Sequence, residues 1–510
     1  MFEGLDTASI DLKLDADDRR PLYVQIADYI AQAIESERLH PGERLPAMRG
    51  LAAQLNCALV TVSNAYDLLV ARGRATARVG KGTFVTRAAQ AAPSPAPFAR
   101  RWEPDIARFA RAERMEGVLD QLARATAPGA ISLATGHPAP ETFPLPDFGR
   151  AMQRTLLEDA PESMQYRASS GDPDLCETLA ASLRSRGCAA RAEDIIVCSG
   201  AQQAADLVAT VVLEQRAVVA AESPTYAGTL GVFDSRGATY VEIQSDADGV
   251  RVDDVERVFA EYRPRLFYIN PIAQNPAGAV LPHRRGKQIV ALARRYDVMI
   301  LEDQTAWVFS YDAAAPPPLA AHDTDGRVIT MESLSKSIFP ALRIGYLYCR
   351  GRLAEALELA KMRADVFTST LTQRALWRFM NTPAYPRHVR FSRNLYRHRR
   401  DAFLEALGEE LAWADIVPPA AGVNLWLRLP SRISTDAAFD ECARAGVLVM
   451  PAGPSYPTRN GPPALRLSFG DLTEPRAREG VARLSRALQR CSASHSGGVF
   501  RRPSVNLPGP

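Results

Sequence analysis

A chain of 510 residues that is 46% hydrophobic and 23% charged has the composition of a folded protein with room for more than one domain. Its net charge of +3 excludes a strongly basic or acidic character and names no partner. Seven cysteines without a C-x-x-C pair read as scattered, reduced thiols, no apolar run approaches the ~20 residues of a membrane span, and the first residues carry no basic-then-apolar leader, so a soluble cytoplasmic protein is expected.

Residues 1–20 read as a polar lead-in. From Pro21 the apolar positions Leu22, Ile26, Ile30 and Ile34 recur every four residues, the stripe of an amphipathic helix with proline near its start. A turn at Pro41-Gly42 leads to a second helix from Met48 to Leu55. Asn56, a residue that tolerates the left-handed region, sits in the tight turn before a third helix from Val60 to Ala71. Two short strands, Arg74 to Arg78 and Thr83 to Thr86, flank a glycine-tipped turn. Helix, helix-turn-helix and hairpin in that order predict a winged helix-turn-helix over residues 21–87. Between Arg19 and Arg87 ten basic residues face five acidic ones, an excess that suits the phosphates of duplex DNA.

The runs Pro21-Leu22-Tyr23-x-Gln25-Ile26, Pro41-Gly42-x-Arg44-Leu45-Pro46-x-x-Arg49, Thr61-Val62-x-x-Ala65-Tyr66 and Gly80-Lys81-Gly82-Thr83-Phe84-Val85 resemble the GntR family of winged-helix repressors. The resemblance implies DNA contacts from Arg44, Arg49, Thr61, Ser63, Asn64, Arg78, Gly80 and Lys81. At the start of the recognition helix the family carries serine and then arginine, where this chain has Ala58 and Leu59. The missing serine removes a helix cap, and the missing arginine shifts sequence readout onto the neighbouring residues.

Residues 88–128 are a linker rich in proline and alanine. Apolar runs then alternate with helical stretches. Candidate strands are Ile195 to Cys198, Val218 to Ala221, Leu266 to Ile269, Val298 to Leu301, Val328 to Met331 and Ile344 to Tyr348. This spacing predicts an α/β domain over residues 129–490 with a mostly parallel sheet. Past Pro383 long helices and strands at Asn424 to Arg428 and Leu465 to Phe469 predict a smaller C-terminal α+β subdomain. Residues 491–510, rich in Ser, Gly and Pro, read as a disordered tail.

Only five of the 61 Lys and Arg residues are lysines, and one of them, Lys336, lies in Ser333-Leu334-Ser335-Lys336-Ser337 with Arg343 seven residues on. A desolvated lysine amine forms imines with aldehydes, and hydroxyls beside a guanidinium suit a phosphate dianion. Aldehyde and phosphate together describe pyridoxal 5'-phosphate. Other candidates stand where strands run into helices. The backbone of Ser199-Gly200-Ala201 opens a helix and suits a phosphate. Tyr226 can lie flat on a ring, and Asn275 can donate to a phenolate oxygen. Asp303 can keep a pyridine nitrogen protonated, and Arg466 can clamp a carboxylate.

The joint order of these groups, with Gly136-x-Pro138, Tyr166, Gly171-Asp172-Pro173 and Asn275-Pro276-x-Gly278, resembles the fold-type I aminotransferases. The resemblance implies a seven-stranded sheet and a Schiff base at Lys336, with Asp303 on the ring nitrogen, Asn275 on its phenolate and Tyr226 stacked. Ser199, Gly200, Ala201, Ser333, Ser335 and Arg343 would hold the phosphate, and Arg466 an α-carboxylate. The family tyrosine two or three residues past the aspartate is replaced here by Thr305 and Ala306, so cofactor binding is expected without efficient transamination. A GntR-like head joined to such a body resembles the MocR-type regulators. That resemblance implies a homodimeric, PLP-dependent DNA-binding regulator responding to PLP or an amino-compound effector, with Tyr166 lent across the dimer. The rival expectation is an active aminotransferase that carries a DNA-binding appendage.

Overall fold

The structure is a computed structural model that describes residues 12, 14, 18, 20–36, 38–78, 82–86, 114, 129–159 and 161–493. The chain divides into two compact units, Met1–Ile106 and Ala107–Pro510.

In the first unit the expected helices form as α1 (Leu22–Glu35), α2 (Met48–Gln54) and α3 (Leu59–Ala71), followed by β1 (Ala75–Arg78) and β2 (Gly82–Val85). The strands pair antiparallel from Ala75↔Val85 to Arg78↔Gly82. The four-residue spacing in α1 buries Ile26 and Ile30 against Leu51, Val62, Tyr66 and Leu69, the small domain's single core. The Tyr66 hydroxyl donates to the Pro46 carbonyl at 2.8 Å and ties α3 to the segment entering α2. Asn56 adopts φ 49°, the left-handed turn its side chain tolerates. Ala58 precedes α3 without a side-chain cap bond, as its missing hydroxyl requires. Gly80 and Lys81 lie outside the described residues.

The second unit begins its described segment with β3 (Ile131–Ser132). Its large sheet is built from β4 (Ile195–Cys198), β5 (Val218–Ser223), β6 (Thr239–Asp246), β7 (Gly249–Val250), β8 (Leu266–Ile269), β9 (Met299–Asp303), β10 (Val328–Ser333) and β11 (Gly345–Tyr348). The spatial order is β4-β11-β10-β9-β8-β5-β6-β7. Pairs β5–β6, β5–β8, β8–β9 and β9–β10 are parallel; β11 runs antiparallel to both β10 and β4, and β7 antiparallel to β6. The seven-stranded expectation thus gains an eighth, two-residue edge strand. β4, β8 and β11 are buried throughout, which explains their unbroken apolar runs. One face packs on helices Pro173–Ser185, Val252–Tyr262, His283–Tyr296 and Thr370–Met380. The other packs on Ala201–Val212, Ala227–Ser235 and Arg352–Asp365.

The smaller subdomain holds an antiparallel sheet of β12 (Asn424–Arg428), β14 (Met450–Pro451) and β15 (Ala464–Ser468), with β13 (Val447–Leu448) parallel to β3. Its last helix runs Glu474–Ala493 and buries Cys491 and Ser492, past the boundary expected at 490. All seven cysteines are free thiols. No helix among the described residues is long and apolar enough to cross a membrane.

One residue of the expected linker is seated in this unit. The Arg114 Nε donates to Asp234 Oδ2 at 2.5 Å, and Nη2 to Asp234 Oδ1 at 3.3 Å. Its remaining donors reach the carbonyls of Pro454, Tyr456 and Pro457 at 2.9–3.0 Å. The guanidinium also lies 5.6 Å from the Tyr240 ring centroid, and the Tyr240 hydroxyl donates to Asp234 at 2.8 Å. A buried arginine needs all five donors satisfied, and here each one is.

Candidate functional site

The carboxyl ends of β4, β5, β8, β9 and β10 open together onto a cavity of about 350 Å³. Each strand end delivers one or more of the expected groups: Ala201 after β4, Tyr226 after β5, Asn275 after β8, Asp303 ending β9, and Ser333, Ser335 and Lys336 at the end of β10. Arg343, just before β11, and Arg466, in β15, complete the wall. Ser199 and Gly200 stand behind Arg343. Its Nη2 donates to the Ser199 carbonyl at 2.7 Å, and a Cβ on Gly200, which has φ 92°, would lie 2.7 Å from the same nitrogen. Tyr166 lies away from this wall, 79% exposed and edge-on to Phe367 at 5.3 Å.

The amine of Lys336 donates to the Gly136 carbonyl. Desolvation, assisted by the Arg466 charge, pulls it down to about 8. About a tenth of it is therefore neutral at pH 7, far more than for a free lysine.

Asp303 is buried, and desolvation raises its carboxyl above the usual range. Opposing that, its Oδ2 accepts from the Tyr268 hydroxyl at 3.1 Å and its Oδ1 from the Thr305 N–H at 3.0 Å. Nearby Glu222 is pushed up to about 8 by burial, although it accepts from the Asn270 N–H at 2.6 Å. Glu222 is then mostly neutral at pH 7. Tyr268, Asn270 and Glu222 were not among the expected site residues. Tyr268 and Glu222 sit inside apolar strand runs, where the pattern registers only core.

A second supporting layer lies under the Ser199-Gly200-Ala201 turn. Gln203 Oε1 accepts from the Ser199 N–H at 2.7 Å, and its Nε2 donates to Asp365 Oδ2 at 2.7 Å. Lys361, fully buried, pairs with Asp365 at 2.5 Å. The scarcity of lysine was the one sequence signal that could have singled out Lys361.

Several buried polar atoms at the cavity residues have no partner: Ser335 Oγ, Asn270 Oδ1, Arg466 Nε and Asn424 Oδ1. Arg466 Nη2 donates to the Ala134 carbonyl at 2.6 Å, and burial pulls its guanidinium below the ordinary value. Each orphaned donor or acceptor costs about 1–3 kcal/mol, so these are places a ligand completes. The cavity thus gathers hydroxyls and a guanidinium suited to a phosphate, a softened amine and a buried carboxylate suited to an aldehyde-bearing pyridine, and a second arginine suited to a carboxylate. The residues present fit pyridoxal 5'-phosphate.

Two features shape the ring space. The Tyr226 ring lies so close over Gly228 that a Cβ there would come within 2.6 Å of it. Thr305 and Ala306 line the wall, and the aromatic residue that follows them turns elsewhere. The Trp307 Nε1 donates to Glu332 at 2.7 Å, with the Arg186 guanidinium 3.9 Å over its ring.

On the small domain, Arg44 lies against the hairpin, its Nε 2.8 Å from where a Gly82 Cβ would be. Arg49, Asn64 and Arg78 are exposed, Thr61 and Ser63 half-buried, and Arg78 sits 5.1 Å from the Phe84 ring centroid. At the start of α3, Leu59 is 46% and Val60 63% exposed.

Comparison with known proteins agrees with both halves. Residues 128–484 match the family described as aminotransferase class I and II, and residues 22–85 match bacterial regulatory proteins of the gntR family. The chain is 32% identical to aromatic-amino-acid aminotransferase 1 of Thermococcus litoralis, over 70% of this chain and 88% of that protein. It is 28% identical to the probable rhizopine catabolism regulatory protein MocR of Rhizobium meliloti, over 94% of this chain and 96% of that one. The crystal structure of LysN, an α-aminoadipate aminotransferase from Thermus thermophilus complexed with N-(5'-phosphopyridoxyl)-L-leucine, aligns with a TM-score of 0.72 at 28% identity, covering 77% of this chain and 99% of that one.

Proposed function

This chain belongs to the aminotransferase class I and II family and carries a gntR-family regulatory domain ahead of it, and from that premise we propose how its two halves make a MocR-type, PLP-binding regulator of transcription. The observation that carries the reading is the coexistence, in one chain, of a winged helix-turn-helix and a cavity lined by Lys336, Asp303, Ser333, Ser335 and Arg343, the groups an aldehyde-bearing pyridine phosphate needs. When bound, the cofactor supplies an aldehyde that condenses with amines and a ring that withdraws electrons.

Lys336 is the amine that would take the aldehyde, and its lowered basicity favours that reaction near neutral pH. Asp303 would hold the proton on the ring nitrogen, oriented by Tyr268 and the Thr305 N–H. Asn275 would donate to the phenolate, and Tyr226 would cover the ring. Ser199, Gly200, Ala201, Ser333, Ser335 and Arg343 would bind the phosphate, with Gln203 fixing Ser199 from behind. Arg466, with its free Nε, would receive the carboxylate of an amino-compound effector. Thr305 and Ala306 offer no phenol to tune the bound group, which favours capture over turnover.

The body is proposed to act as a homodimer, the exposed Tyr166 being lent to the partner's site. Occupancy of the cavity would bias two DNA-binding heads between binding states. Arg44, Arg49, Thr61, Ser63, Asn64, Arg78, Gly80 and Lys81 would form the DNA-contacting set. A regulator that grips chromosomal DNA works in the cytoplasm. The test is binding of the full chain to a labelled duplex from its own upstream region, with and without PLP. PLP should change the apparent affinity, and Lys336→Met should remove that change. An affinity indifferent to PLP in both proteins would overturn the reading.

A further inference from the structure

The start of α3 carries side chains that the basic surface around it does not explain. Leu59 and Val60 occupy its first turn and are 46% and 63% exposed. Large aliphatic groups this open to water cost solvation and return nothing to the domain's own core, which is complete without them. They are not scattered. Leu59 lies four residues before Ser63 and Val60 four before Asn64, so on a helix each stands over one of the polar groups already expected to touch DNA. Arg49, exposed on α2, and Arg78, exposed on β1, supply cations for phosphates.

The second helix of a helix-turn-helix enters the major groove with its N-terminal residues against the base edges. Among the four bases only thymine places an apolar group there, its 5-methyl, and aliphatic side chains are its natural partners. An arginine at this place would read the two acceptors of guanine; a leucine can satisfy neither. We propose that Leu59 and Val60 read thymine methyl groups, so that each half of the operator carries thymine where the first turn of α3 meets the groove. The inference rests on the DNA-binding reading above and specifies what that reading leaves open, the base class at these positions.

The experiment starts from duplexes selected out of a random-sequence library by the full-length, PLP-loaded protein. Each thymine of the selected site is then replaced singly by deoxyuridine, which keeps every hydrogen-bonding group and lacks only the methyl. One buried methyl is worth about fourfold in affinity. At one or two positions per half-site the replacement should weaken binding by about that factor. Leu59→Ala or Val60→Ala should bind the parent duplex correspondingly more weakly and lose the sensitivity to deoxyuridine at its own position. Affinities that stay within twofold at every deoxyuridine, or a sensitivity that survives in both variants, would overturn the proposal while leaving DNA binding intact. A library from which nothing is enriched would overturn it together with the reading it rests on.

Discussion

The cavity of the body and the exposed face of α3 place their working groups in opposite ways. In the cavity the groups, the exposed Arg343 apart, are buried or half-buried, and several are held from behind: Asp303 by Tyr268, Ser199 by Gln203, Tyr226 by its seat over Gly228. On α3 they stand exposed or half-buried on the outside of a helix whose inner side alone is packed. A buried site tolerates little change because every group has neighbours that would be left unpaired. An exposed one can exchange a serine and an arginine for alanine and leucine for no more than a lost helix cap, about 1 kcal/mol. Chemistry is therefore kept where packing enforces it, and specificity is rewritten where packing is silent.

Four perturbations test that contrast, from the largest effect downward. Lys336→Met should abolish the visible absorbance of the PLP-loaded protein outright, yet leave the order in which the protein ranks duplex sequences unchanged. Asp303→Ala removes the buried carboxylate proposed to meet the ring nitrogen. With about 3–5 kcal/mol at stake in such a pair, PLP affinity measured by fluorescence titration should fall at least about 100-fold. The rate at which apo protein takes up PLP should fall about tenfold per pH unit below about 8, because the neutral amine reacts and the protonated one does not; stopped-flow absorbance between pH 6 and 9 checks the slope. Ala58→Ser should be the gentlest. A restored cap should stabilise the small domain by about 1 kcal/mol in denaturant unfolding of the full chain, with no change in PLP binding. A cofactor variant that reordered DNA preference, or a cap variant that altered PLP affinity, would erase the distinction between the two regions.

The cavity was largely legible in the sequence because strand ends are marked by apolar runs and the reactive residues sit just past them. Of the residues expected there, only Ser199 and Gly200 stand behind the wall rather than in it, and Tyr166 lies elsewhere. What the pattern could not give was the supporting layer. Lys361 and Asp365 are four apart on a helix and look like any surface pair, and only the fold reveals Lys361 as fully buried beneath Ser199. β6 escaped notice because, of its eight residues, only Ile243 is fully buried, so its alternation is drowned by Thr, Glu, Gln and Ser. β3, β13 and β14 are two residues each, too short for any periodicity. In the small domain the local signals sufficed, since each helix carries its own stripe and the turn its own asparagine.

Arg114 gives the body a handle. The helix Ala227–Ser235 begins one residue after Tyr226, and near its far end Asp234 is gripped by that guanidinium. The carbonyls that share the grip flank Ser455, whose own carbonyl accepts from the Thr225 N–H at 2.8 Å. The Arg114 side chain is thus joined to the tyrosine at the ring space by a nine-residue helix and, through the Thr225–Ser455 bond, by one peptide bond besides. Conversely, a tilt of that tyrosine when the cavity fills would be felt at the Arg114 guanidinium.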